Sequence, residues 1–113
     1  MTDPTRIQDL PIGVRRIAAE RQEQIELHRF TPAHDLGHGD SELLQAAAAY
    51  LLWATSPNDA GDDEVVATFA AAHWPWEAAL FKPSTDARKN LAKAGALIAA
   101  EIDRLHAMGV RRG

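Results

Sequence analysis

The chain has 113 residues, 46% of them hydrophobic and 25% charged, with a formal charge of -4 and no cysteine, which describes one folded domain with a single modest core. The missing cysteine excludes disulfides, thiol nucleophiles and thiolate metal sites, and a reducing cytoplasm is the expected compartment. The acidic balance speaks against general affinity for nucleic-acid phosphate, and no run reaches the roughly 20 apolar residues of a membrane span or forms an apolar signal core.

Residues 1–11 carry two prolines and little periodicity, and read as an N-terminal arm ahead of one helical domain over 12–110 and a tail over 111–113. From Gly13 to about Arg29, Val14, Ile17, Ala18 and Ile25 recur at helical spacing and predict a first helix. Pro32, Gly37 and Gly39 make the next stretch a connection. Asp40 or Ser41 then offers an N-cap, and Glu42 puts negative charge in the first turn of a second helix ending near Ala54. That helix is apolar nearly all round, which suits the centre of a bundle or a subunit interface.

Ser56 to Gly61 is a dense turn signal, after which Asp62 or Asp63 can cap a short third helix over Glu64 to Ala72. Pro75 and Pro83 bracket a second irregular connection. Ser84 or Thr85 is then placed to cap the longest helix, about Asp86 to Met108, with Leu91, Ala94, Ile98, Ile102 and Leu105 as its core stripe and Gly109 as its left-handed stop. Ala94, Gly95 and Ala99 permit close helix packing, with a ligand resting on bare backbone as the alternative. Val65 to Phe69 is the one run that could read as a strand and no longer alternating pattern appears, so the fold class expected is all-α, a compact bundle of three or four helices with two long irregular connections.

Two polar-aromatic cassettes stand out against an alanine content of roughly a fifth, which serves helix propensity. The first runs from Glu20 through Arg21, Gln24 and His28 to His34, Asp35 and His38; the second runs from His73 through Trp74-Pro75-Trp76 to Phe81-Lys82-Pro83. Helical spacing of three and four puts Glu20, Arg21, Gln24 and His28 on one face, either as solvated ion pairs or as groups that grip a ligand. His34 and His38, four apart beside Asp35, have metal-ligand spacing, but the surrounding proline and glycines deny them the helix that such spacing needs, so bracing of the loop is the alternative. The rings of Trp74, Trp76 and Phe81 either plug the open end of a small bundle or form a stacking wall for a base. Arg88, one turn into the last helix, lies where an anion is already favoured. Glu101 and Asp103 on the last helix read as solvated acids or as half of a magnesium site.

From Glu20 to Tyr50 and from Trp74 to Leu105 the chain resembles a family of small phage and prophage proteins. The resemblance rests on Glu20-Arg21-x-x-Gln24-Ile25, Thr31-Pro32-x-His34-Asp35, Glu42-Leu43 with Tyr50, Trp74-Pro75-Trp76, Lys82-Pro83, and Asn90, Lys93 and Glu101. It implies a phage context and no particular activity. Arg21 through Phe30-Thr31 also resembles a segment of ryanodine-receptor-type repeat domains, with Phe30 where they have Trp, and this implies a nucleotide-like ligand. The helical layout is similar to that of MazG-type nucleotide pyrophosphohydrolases, which implies magnesium held by Glu20, Glu42, Glu101 and Asp103, although Lys89 and Lys93 stand where that family has acids.

The function expected is therefore that of a phage accessory protein, non-catalytic and without cofactor or resident metal, that binds a small nucleotide-type anion and could sequester a host defence signal nucleotide. Arg21, Gln24, His34, Asp35, Lys82 and Arg88 would hold polar groups, and Trp74 or Trp76 would stack. The alternatives are a MazG-like magnesium-dependent pyrophosphohydrolase and a regulator that binds a host protein. A homo-oligomer is expected, with no membrane partner.

Overall fold

The computed structural model describes residues 5–26, 41–55 and 64–109. Four α-helices occur among them: α1 (Ile12–Glu26), α2 (Glu42–Ala54), α3 (Glu64–His73) and α4 (Ala87–Ala107), with short 3-10 turns at Ile7–Asp9 and Ala78–Leu80. No strand accompanies them among the described residues, so the fold is an all-α bundle. The expected end of the first helix between Glu26 and Arg29 lies outside the described residues. No helix in the described part is long and apolar enough to cross a membrane.

Local chemistry sets the ends. Helix α4 is capped by Asp86, whose carboxylate accepts from the Arg88 N–H at 3.0 Å, rather than by Ser84 or Thr85. Ser84 supports the cap from one step back, its hydroxyl accepting from the Asp86 N–H at 3.0 Å. At the other end Gly109 has φ 69°, the left-handed stop that a residue without Cβ adopts freely. Ser41 precedes α2 with φ 70°, a conformation uncommon for a side chain that is not glycine, and its hydroxyl accepts from the Gln45 amide instead of capping the helix.

Helix α4 is the hub, packed by α1 and by α2, while α3 packs on α2. Leu43, Ala46, Ala47 and Tyr50 of α2 form the buried core with Ala94, Leu97 and Ala100 of α4. Tyr50 lies beside Lys93, so burying Leu43 against Leu97 and Ala100 requires the two helices to run antiparallel. Helix α1 seats on Gly95, where an added Cβ would come within 2.7 Å of Ile17. The small residues thus do serve close approach.

The core stripe of α4 departs in part from expectation. Ala94 is buried as expected, but Leu91, Ile98 and Ile102 are 48%, 40% and 52% exposed, whereas Leu97, Ala100, Glu101 and Arg104 are buried. Alanines and a glycine let the neighbouring helices come so close that the buried face is the small-residue face, and the larger aliphatics one step round are left outside it.

Candidate functional site

The connection between α3 and α4 is built from its rings. The Trp74 indole N–H closes a turn onto the Glu77 carbonyl at 2.9 Å, and the Trp76 indole reaches the Glu42 carboxylate at the start of α2 at 2.8 Å. Trp74 is the hub: it meets Tyr50 edge-on at 5.7 Å, Trp76 edge-on at 5.2 Å and Phe81 at a tilt at 5.0 Å. Phe81 also meets the edge of Trp53 at 5.5 Å. Trp74, Trp76 and Phe81, all partly buried, lie against the α2–α4 core, so the plug is what these rings form.

The segment after Phe81 is tied to α4 by side chains that replace a regular ladder. Asn90, almost fully buried, donates to the Ser84 carbonyl at 2.8 Å and accepts from the Ser84 N–H at 2.7 Å. The Lys93 ammonium donates to the Lys82 carbonyl at 2.7 Å and sits 5.4 Å from the centre of the Tyr50 ring, whose hydroxyl accepts from the Lys82 N–H at 3.3 Å. Glu20 arrives from α1 and pairs loosely with Lys89 at 3.8 Å. Burial pulls the Lys93 ammonium below the usual lysine range, and the like charges of Lys89 and Lys82 pull it the same way against the attraction of Glu20 and Glu23. Burial pushes the Tyr50 hydroxyl up, a rise that the Lys82 N–H opposes and the Glu20 charge reinforces. Three ammonium groups, the carboxylates of Glu20 and Glu23 and a phenol therefore share one end of the bundle beside the ring cluster.

The residues expected to bind are divided between two places. Lys82, Trp74 and Trp76 belong to this end. Arg88 is close by on α4 but is exposed and turned onto Asp86, its Nε 3.1 Å from the carboxylate that already takes the Arg88 N–H. An anion at that helix start would meet the chain's own carboxylate, which holds its pKa below the usual range through those same two bonds. Arg21 points the other way along α4 and is buried on Asp103, with Nε and Nη2 at 3.1 and 3.0 Å from one oxygen. Asp103 lies fifteen residues beyond Arg88, about 22 Å along the helix. Gln24 is buried beside these and its Oε1 accepts no hydrogen bond. His34 and Asp35 lie outside the described residues, as do His28 and His38. Of the first cassette it is Glu20, not Arg21, that joins the second.

The carboxylates of the magnesium reading are engaged separately. Glu42 takes the Trp76 indole, Glu20 pairs with Lys89, and Asp103 pairs with Arg21. Glu101 is locked in a buried pair with Arg104, at 2.5 and 3.1 Å, while the guanidinium also reaches the Met108 sulfur. Among the described residues no three His, Asp or Glu side chains gather as a metal-binding group.

Tyr50 and Lys93 enter the site without having been singled out as ligand-binding positions, and Lys89, half of the basic pair Arg88-Lys89, joins them. Their signal in the sequence is the four-residue step from Lys89 to Lys93 downstream of Lys82, which puts both ammonium groups on the flank of α4 that faces the connection. No family model, curated protein or solved structure matches the chain.

Proposed function

We propose that the chain is a non-catalytic module that binds a small nucleotide-type anion at the end of the bundle where α4 begins, and that it works as a phage accessory protein assembled from more than one copy. The observation that supports the reading is the gathering of Lys82, Lys89 and Lys93 beside an aromatic cluster, with Glu20 as the near counter-charge. Cations that repel one another lower a lysine's affinity for its proton, and an entering phosphate removes that repulsion. Trp74, Trp76 and Phe81 are only partly buried, and a base that reached a free ring face there would gain about 1–3 kcal/mol per ring from stacking. A defence signal nucleotide has both parts.

Thermal unfolding against inorganic phosphate, mononucleotides and cyclic oligonucleotides tests the reading. A ligand present at about 100 times its Kd adds about 2.7 kcal/mol of stability, which in a domain of this size raises Tm by roughly 10–20 °C. Lys89→Gln with Lys93→Gln removes that shift. A panel that leaves Tm unmoved at millimolar concentration defeats the proposal, and so does full binding by the double variant.

A further inference from the structure

Five large aliphatic side chains of the two central helices stand open: Leu44 and Leu51 of α2 at 45% and 41%, and Leu91, Ile98 and Ile102 of α4 at 48%, 40% and 52%. An α-helix turns about 100° per residue. Leu44 and Leu51 therefore lie about 100° round from the stripe of Leu43, Ala47 and Tyr50 that faces α4. Leu91, Ile98 and Ile102 lie about 100° round, in the same sense, from the stripe of Ala94, Leu97 and Ala100 that faces α2. In an antiparallel pair, equal offsets of the same sense bring both sets to one side. Helix α1 packs farther round α4, with Asp103 and Lys89 about 120° and 160° from the middle of this open stripe and Gly95, beneath Ile17, at its edge.

We propose that this side of the α2–α4 pair is the interface between two copies of the chain. The proposal extends the oligomeric part of the functional reading by naming the surface, and the anion site has no part in it. Three observations choose a second copy as the occupant. The first is charge: besides the five aliphatics, the sector holds Ala48, Thr55, Ala87 and Leu105, and no charged side chain. A two-fold contact sets each residue against the same patch, so a charge there would meet its like, whereas an uncharged face is compatible with itself. The second is spacing. Leu44 and Leu51 are seven apart, as are Leu91, Ile98 and Leu105 with Ile102 between them, which is the repeat by which one helix seam packs on another. The third is area: side chains this open leave on the order of 400 Å² of apolar surface, at the limit of what a small monomer exposes. That is about half of the roughly 800 Å² each partner gives to a standard interface, so the patch forms the centre and its polar margins the rim.

Sedimentation and light scattering on the full chain, from low micromolar to several hundred micromolar, should give twice the single-chain mass of 12.3 kDa at the upper end. Ile98→Glu or Leu51→Glu places like charges across the two-fold and should raise the dissociation constant about a hundredfold, since such juxtaposition costs several kcal/mol. Phe69→Glu, an equally open position on α3, should leave the mass unchanged. Leu91→Cys is a gentler probe in a chain without other thiols: its reaction with a thiol reagent should slow several-fold as the protein is concentrated. A monomer at every concentration overturns both the oligomer and this surface. A dimer that persists in Ile98→Glu and Leu51→Glu, with Leu91→Cys reacting at one rate throughout, overturns the surface alone.

Discussion

Toward α2, helix α4 presents Ala94, Leu97 and Ala100; toward α1 it presents Lys89, Gly95 and Asp103. On the α2 side, two helices with little more than methyl groups between them come close enough that Leu43 and Leu97 fill the remaining space. Five aromatic rings then close the end. On the α1 side Ile17 seats on Gly95, flanked by the ion pairs Glu20–Lys89 and Arg21–Asp103, in each of which one partner stays partly in water. The first contact draws on dispersion and burial and is insensitive to salt. The second draws in part on the long, partly exposed Glu20–Lys89 pair, a kind that contributes about 0–1 kcal/mol, so α1 is the helix expected to loosen first.

The α2-facing stripe of α4 does not remain apolar, and its far end offers the sharpest test of this difference. Glu101 and Arg104 continue the line of Ala94 and Leu97 and are buried as a two-point pair. Arg104→Ala leaves Glu101 buried without its cation and should lower stability by about 3–5 kcal/mol, a large part of what a domain of this size possesses. Chemical denaturation measures it. A loss under 1 kcal/mol would mean that water reaches Glu101 and that this end of the α2–α4 contact is no drier than the α1 side.

Gly95→Val probes the α1 side with a smaller effect. The added Cβ falls within 2.8 Å of two Ile17 atoms, so α1 must shift or Ile17 must change rotamer, at about 1–3 kcal/mol. We expect a loss of about 2 kcal/mol with the amides of α1 exchanging faster and those of α2 little changed. Equal acceleration in both helices would show that α1 and α2 open as one unit.

The four helices were legible in the sequence because each carries its own punctuation. Pro75, Pro83 and Gly109 mark boundaries whatever the tertiary packing does, and every helix end inside the described residues falls within a residue or two of its expected place. The core face of α4 was not legible. Periodicity finds the stripe of Leu91, Ala94, Ile98 and Ile102 and carries no information about how close a neighbour comes; close approach keeps Ala94 but turns the buried face toward Leu97 and Ala100. The site was legible by half for a similar reason. The second cassette is contiguous in sequence and folds onto itself, so Trp74, Trp76 and Lys82 are neighbours in space. Arg21 and Glu20 are adjacent in sequence yet reach Asp103 and Lys89, and only the packing of α1 on α4 decides which of them meets the cassette.

Tyr50 is where the two contacts touch, since it belongs to the α2–α4 core yet feels Glu20 of α1, and its titration makes the smallest of the expected effects. Burial raises its pKa above the usual 10.0, so the unfolded chain releases this proton first. The stabilisation this gives is complete below pH 10.0 and is lost as pH rises through the folded value. Lys93, on the ring's face, slopes the opposite way: its pKa is lowered from 10.5, so the unfolded chain holds the extra proton and stability rises with pH up to about that value. In the wild type the two partly cancel near pH 10. Tyr50→Phe keeps the ring under the ammonium and removes the phenol, so its denaturation midpoint, compared with its own value at neutral pH, should hold up better than that of the wild type on going to pH 10.5. Lys93→Met should fall further than the wild type over the same interval. Parallel profiles for all three proteins would mean that the phenol and the ammonium are as well hydrated as in the unfolded chain, and that the α2–α4 contact is open to water at the end where α1 crosses it.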